Sequence, residues 1–588
     1  MSTSSTMTPR TKATLVIAGI AVLFLVLRLP GVDLPYHQDE WKNVATSETV
    51  AGAGTFYAHP PLMQMMFVAA HAVFGVDHFR LFPLLFSIGS AILLYFVIKD
   101  RSDRRTAAIS VGLLAVCFYN ILGSLSPDVD GAILPFFFLL AVFAYDRWHR
   151  AEPAQRGYWL AALIVVLLLG LLIKLNFILG IGAIAADYLW SIRKQLSFRW
   201  AGAGILGAAV FVAVYIGLLY LIQAVYPAFS ISLMLDHANQ YSGDAGRNWL
   251  QIIVQGAKAI YYISPLMLVP LLFSSREIFK KTLPFWLYLA IGFLFYFVVF
   301  DFSRAALDKY LMFAIVPLAA ITGMILSKVF DSWSCPQART VLREEEDARR
   351  TSERMYCCRR EGAAIIIGLI IAVILIALNF LPQSVVALYP KTLWFSRVIH
   401  GYWNILTPLN GGSGPMGFYI SFLFIAFSYL VAAGIALIGL FKKSWRDCAL
   451  IILVIIGLAY NGVFAEEFLY GGINGNAPQV LQEAVIFIKN SEDIKQVITY
   501  NDIGAGPLSI MGKYAGRIYA TPESEGGYRA KFAAFDGQYL VVDIPKLDPG
   551  GFYHKFFAQC RTLFGSDSKN VTARVYDCPH DQKTIYSL

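Results

Sequence analysis

Asp39 and Glu40 are adjacent acids in the stretch His37-Gln38-Asp39-Glu40-Trp41-Lys42-Asn43, and His59-Pro60-Pro61-Leu62 follows soon after. A second acidic pair, Asp128 and Asp130, lies in Ser124-Leu125-Ser126-Pro127-Asp128-Val129-Asp130-Gly131. Carboxylates beside long apolar segments are costly unless water, a metal or a substrate satisfies them. Acids from two separate loops suit either a divalent cation (Mg, Mn or Zn), with Glu40 and Asp130 as ligands, or acid/base work on a hydroxyl. Asp128 also has a plainer reading as a helix N-cap after Ser126-Pro127, and the two roles are compatible.

Fixed cations complete the set. Lys174 stands between two short apolar segments, Arg304 and Lys309 lie in Asp301-Phe302-Ser303-Arg304-Ala305-Ala306-Leu307-Asp308-Lys309, and Arg80 begins an apolar run. Ammonium and guanidinium groups at such places suit the phosphate or pyrophosphate head of a lipid. Taken singly, each has the alternative of snorkelling to a membrane surface.

The elements that must position these groups are apolar helices. Hydrophobic residues make up 57% of the 588, charged residues only 15%, and mean hydropathy is +0.58. That balance excludes an ordinary water-soluble globule. Apolar segments separated by short charged stretches predict a mainly α, polytopic membrane protein with about 13 transmembrane helices. The net charge of +9 comes from basic loops between spans, so it reports topology and not nucleic-acid binding.

The apolar run from Ala13 to Leu29 reads as a first span, since no small-residue cleavage site follows it. Pro61–Gly75 carries Gln64 and His71 and is short, which predicts a helix lying on the outer surface. With that choice every strongly basic loop falls inside, and the acid- and cation-bearing loops fall outside. The longest middle external loop, 382–415, reads as aromatic and Gly-rich.

After Phe464 the texture changes. Short β-rich runs (QVITYND, GRIYA, QYLVVDIP, VTARVYDC) and one amphipathic segment predict a soluble extracytoplasmic α/β domain over 465–588, following a transmembrane domain over 1–464. Cys560 and Cys578 are the cysteines of that outer part. They form either a disulfide, worth roughly 3 kcal/mol, or two buried thiols. The loop Tyr500-Asn501-Asp502-Ile503-Gly504-Ala505-Gly506-Pro507 is its most distinctive stretch, readable as a sugar or phosphate contact or as a plain strand-to-helix turn.

Several of these motifs resemble the GT-C class of membrane glycosyltransferases, on the branch of the protein O-mannosyltransferases and the aminoarabinose transferase of lipid A modification. The matching residues are Asp39-Glu40, His59-Pro60-Pro61-Leu62, Asp130-Gly131-Ala132-Ile133-Leu134-Pro135-Phe136-Phe137, Lys174, and Lys309-Tyr310-Leu311, within about 13–330. The resemblance implies transfer of a sugar from a polyprenyl-phosphate donor to a lipid, glycan or protein acceptor on the outer face. It implies Asp39 as base, Glu40 as acceptor-orienting or metal-binding group, and Asp130 or Asp128 as second acidic contact. His59 falls in the acceptor or sugar site, and Lys174, Arg304 and Lys309 hold the departing lipid phosphate. Met63-Gln64 stands where the O-mannosyltransferases have Gly-Lys, which argues against a protein acceptor.

Two rival readings are a transporter or flippase of lipid-linked saccharides and a polysaccharide polymerase or ligase. The first expects polar groups through mid-membrane positions in paired broken helices. The second expects a large external loop rich in Arg and His. A bacterial inner (plasma) membrane location suits all three.

Overall fold

The computed structural model describes residues 9–53, 59–195, 197–227, 229–239, 247–300, 308–333, 344–388, 391–409, 416–518, 531–544 and 546–578. In chain order its first helices are α1 Pro9–Val26, α2 Gln38–Ala53, α3 Pro61–Phe74, α4 Leu81–Arg101, α5 Arg104–Val116, α6 Phe118–Leu125 and α7 Leu134–Arg150. Then come α8 Pro153–Ile173, α9 Ile178–Ile192, α10 Phe198–Val225, α11 Ile231–Asn239 and α12 Trp249–Ile263. Among the described residues, 10 helices are long and apolar enough to cross a membrane, or up to 12 if each of two bent pairs is one span. Leu283–Val299 is a shorter apolar helix and supplies the remaining expected segment. The surface-lying reading of 61–75 corresponds to the 14-residue α3.

Inside a bilayer every backbone N–H and C=O must find a partner within the protein, so a bend in a span needs a substitute. Here one side chain serves both bends. The chain turns by 67° between α5 and α6 and by 91° between α12 and Pro265–Phe273. Asn461, on the helix Arg446–Leu469, accepts from Phe118 N at 2.8 Å through Oδ1 and donates from Nδ2 to Ser264 Oγ at 3.0 Å. Ser264 sits at the second bend with φ of +75°, a left-handed conformation that costs energy for a side chain.

The loop carrying Asp128 and Asp130 is set by two glycines. α6 and the following π-helical turn Val129–Ile133 pack so closely that a Cβ on Gly131 would lie 2.5 Å from Gly123 Cα. Any side chain there would push the acidic loop away from the bundle.

The chain leaves the bundle after Leu469 and builds a five-stranded sheet. The first three strands of the protein, β1 Ser384–Val385, β2 Ile405–Leu409 and β3 Phe418–Ser421, form a small separate sheet; the first two lie in the 382–415 segment expected to be loop and the third just beyond it. The later strands are β4 Val497–Tyr500, β5 Tyr514–Ile518, β6 Gln538–Val542, β7 Arg561–Ser568 and β8 Val571–Asp577, in the order β5-β4-β6-β8-β7. β5 and β6 flank β4 in parallel, and β8 runs antiparallel to β6 and β7. Val480, Leu481, Ala484 and Ile488 of the helix Ala477–Asn490 recur at helical spacing and bury against the sheet in one core. Leu406, Met416 and Tyr419 enter that core from the small sheet, and Tyr419 Oη donates to Asp543 O at 3.0 Å. A disulfide joins Cys560 and Cys578 across the β7–β8 pair, with Cα atoms 4.3 Å apart.

Candidate active site

α2 starts abruptly. Gln38 takes a left-handed φ of +41°, and Asp39 and Glu40 occupy the first turn, where carboxylates suit the positive end of the helix. The two acids then part company. Glu40 turns inward and accepts from His37 N at 3.2 Å and from both terminal nitrogens of Arg80, at 2.7 and 2.9 Å. Asp39 stays toward solvent, its side chain 30% exposed.

Arg80 is wholly buried. Its Nε donates to Leu34 O, one terminal nitrogen to Glu40 and Leu125 O, the other to Glu40 and Pro35 O. All five N–H bonds of a guanidinium are thereby committed. The expectation that Arg80 grips a lipid phosphate is corrected by this arrangement: it is a strut that pins the start of α2 to α4 and to the end of α6. The expectation for Glu40 changes with it. Both Glu40 oxygens are engaged by the bidentate Arg80 guanidinium, and the side chain is 1% exposed.

Lys309 brings the two acidic loops together. Its Nζ lies 3.2 Å from Asp39 Oδ2 and 2.9 Å from Asp128 Oδ2, while the other Asp128 oxygen accepts from Val129 N at 2.6 Å. Asp128 therefore caps the turn and also joins the charged site. Asn43 of α2 donates to Pro127 O at 2.8 Å and fastens the same loop. Burial pushes the Asp128 carboxyl up, but the Lys309 and Lys174 ammoniums outweigh it and hold the group below its ordinary range.

Lys174, at the junction of α8 and α9, pairs with Asp130 at 2.6 Å. The Tyr310 ring lies between the two lysines, 5.0 Å from Lys174 Nζ and 5.3 Å from Lys309 Nζ. The result is a chain of alternating charges, Asp39, Lys309, Asp128, Lys174 and Asp130, drawn from four parts of the sequence. Arg304 lies outside the described residues.

Next to this chain is a cavity of about 260 Å³ lined by His59, Lys174, Asn176, His237 and Tyr310 with the rings of Phe295 and Phe300. The His59 and His237 rings meet edge to face, 4.9 Å between centroids. Burial, with the charge of Lys174, pushes His59 down to about 3 and lowers His237 in the same sense. Both imidazoles are thus neutral near pH 7 and offer one donor and one acceptor each. His237 and Asn176 were not singled out from the sequence. Tyr310 was quoted there only as a neighbour of Lys309, and α11, with a single histidine on an amphipathic face, carries no spacing that marks a site.

Of the carboxylates expected as metal ligands, Asp130 pairs with Lys174 and Glu40 with Arg80, while Asp39 and Asp128 share Lys309. Among the described residues no three His, Cys, Asp or Glu side chains group as metal ligands.

Residues 58–217 match the family described as dolichyl-phosphate-mannose-protein mannosyltransferase. ArnT from Cupriavidus metallidurans in the apo state superimposes with a TM-score of 0.51 at 14% identity, over 98% of this chain and 99% of that one. The fold is that of a GT-C glycosyltransferase. ArnT from the same organism bound to undecaprenyl phosphate gives 0.50 at 12% identity, over 97% and 98%. No curated protein matches the sequence. The GT-C likeness runs through bundle and outer domain alike, well beyond the 13–330 stretch that carries the resembling motifs.

Proposed function

We propose that this GT-C protein is an integral membrane glycosyltransferase that moves a sugar from a polyprenyl-phosphate donor to an acceptor hydroxyl at the extracytoplasmic face. The observation that carries the reading is the Lys309 ammonium shared by Asp39 and Asp128, beside a half-open cavity lined by Lys174, Tyr310 and two neutral histidines.

In this reading Asp39, the carboxylate open to solvent, accepts the proton of the acceptor hydroxyl. The acceptor oxygen forms a bond to the anomeric carbon, the bond from that carbon to the phosphate oxygen breaks, and its electron pair leaves with the phosphate. Lys174 and Lys309 face the charge that develops there, in surroundings dry enough to make each ammonium count. His59 and His237 hydrogen-bond the sugar without adding charge. Glu40 and Arg80 hold Asp39 in place, and the outer domain of residues 465–588 lies on the acceptor side.

Incubating membranes that contain the protein with a panel of radiolabelled polyprenyl-phosphate sugars tests this directly. Label should pass to an acceptor and polyprenyl phosphate should accumulate. Label that only changes leaflet, with the donor intact, would identify a flippase instead. A cysteine placed near residue 500 should react with an impermeant reagent added from outside.

A further inference from the structure

The end of the bundle opposite the charge chain carries a second polar cavity. Asp130 stands near the start of the span Val129–Arg150, and the other end of that span is roughly 30 Å away. There the closing turns of α4, α7 and α9 and the short helix Arg276–Lys281 line an open cavity of about 370 Å³. Its volume is that of a small-ligand site.

Most of its charges are already matched. Arg101 forks onto Asp146, with Nε on Oδ2 at 2.7 Å and a terminal nitrogen on Oδ1 at 2.6 Å. Asp100 holds Arg147 at 3.0 Å and Arg150 at 3.9 Å, and Lys281 holds Glu277 at 3.0 Å. Two groups are left over. Asp187 accepts the Tyr145 hydroxyl at 2.8 Å through Oδ2, and among the described residues nothing donates to its Oδ1. Lys280 is exposed and pairs with no carboxylate among the described residues.

Asp187 lies more than one helical turn inside the end of the span Leu175–Ile192. A carboxylate at such a depth marks a ligand or ion site unless a partner neutralises it, and one phenol hydroxyl does not. The C-terminal ends of α4, α7 and α9 add negative partial charge to the same place, which favours a cation. His149 lines the cavity with an imidazole that no described residue hydrogen-bonds, its ring edge-on to Tyr145 at 4.6 Å. A primary ammonium has three N–H donors to share between that carboxylate and that imidazole. Lys280 at the rim suits a phosphate covalently tied to the ammonium.

From this pairing of an unmatched acid and an unmatched base we infer that the cavity binds the headgroup of a phospholipid whose phosphate carries a primary ammonium. The ammonium sits on Asp187 and His149 and the phosphate at Lys280. A lipid is the source because the cavity opens where the spans end, at the bilayer surface. Nothing in this site depends on the transferase reading.

The test is native mass spectrometry of the full-length protein, released from detergent micelles and titrated with dioctanoyl phosphatidylethanolamine, phosphatidylcholine or phosphatidylglycerol. The expected result is saturable binding of one phosphatidylethanolamine. Phosphatidylcholine, which has no N–H to donate, and phosphatidylglycerol, which has no ammonium, should each bind about tenfold more weakly. Asp187→Asn keeps an acceptor for Tyr145 and should weaken phosphatidylethanolamine about tenfold, with phosphatidylglycerol unchanged. Lys280→Gln changes only an exposed side chain, so its folding is secure, and it should weaken phosphatidylethanolamine several-fold. Equal affinity for the three lipids, no saturable binding, or wild-type affinity in both variants overturns the site. Free phosphoethanolamine competing as well as the lipid overturns the lipid source.

Discussion

Asp39 and Lys309 are 270 residues apart in the chain and 3.2 Å apart in space. That contact joins the first loop of the bundle to the start of the helix that follows residue 308, and through Asp128 it joins both to the end of α6. A carboxylate and an ammonium held in direct contact make a site whose two halves depend on each other.

Asp39→Asn should abolish transfer, lowering the rate about 10²–10⁴-fold, because the isosteric amide cannot take a proton. Expression and polyprenyl-phosphate binding should survive. Single-turnover transfer from labelled donor measures it, and normal turnover in this variant would remove Asp39 as the base.

Lys309→Met takes away the ammonium that bridges Asp39 and Asp128, and with it one of the two cations proposed to face the leaving phosphate. A loss of about 10²-fold in kcat is expected, with dependence on donor concentration affected more than dependence on acceptor. An unchanged donor profile would count against a role at the phosphate.

Arg80 separates positioning from phosphate binding. Arg80→Met strands a buried carboxylate at Glu40 and should destabilise the protein by about 3–5 kcal/mol. The double variant with Glu40→Gln should recover part of that loss. Urea unfolding in detergent reads both. A raised donor KM with stability intact would return Arg80 to the phosphate.

Asn461→Leu leaves Phe118 N without its acceptor at one bend and Ser264 Oγ without its donor at the other. A cost of about 1–3 kcal/mol is expected, since the backbone group has no water to turn to. If each bend depends on Asn461, cysteine crosslinks across both should weaken together; one unaffected bend would show that they are held separately.

Acid should loosen the site. His59 binds its proton at about 3 in the folded protein and near 6.5 when unfolded, so the unfolded state carries more protons between those values. Stability from this group is fully present above about 6.5 and is lost as pH falls toward 3. His237 is shifted in the same direction. Melting temperature measured from pH 7 down to 4.5 should fall less steeply for His59→Gln than for wild type. Parallel curves would mean that His59 is not held neutral by the fold.

Much was legible from residue order alone. Long apolar runs, the texture change after Phe464 and the charges of Asp39, Asp128, Asp130, Lys174 and Lys309 at the ends of apolar segments are all local properties, set by side-chain type and by the length a bilayer demands. The bends at Cys117 and Ser264 were not legible, because the residue that stabilises them lies hundreds of positions away. The small sheet of β1, β2 and β3 was missed for a similar reason: its strands are short, and they pair through a long loop whose composition reads as irregular.

Arg80 and Glu40 show the same division within the site. Both are charged residues at helix starts, and by type they look the same as Lys174 and Asp39. Only the folded chain sets Arg80 against Glu40 and three carbonyls in a sealed pocket, while Lys309 meets Asp39 at the rim. The linear chain determined which groups arrive near the membrane edge, since burial of apolar helices leaves the charged junctions at their ends. Tertiary packing decided which of those charges neutralise one another in the dry interior and which stay within reach of a substrate, because an ion pair forms through proximity in space and carries no signal along the chain.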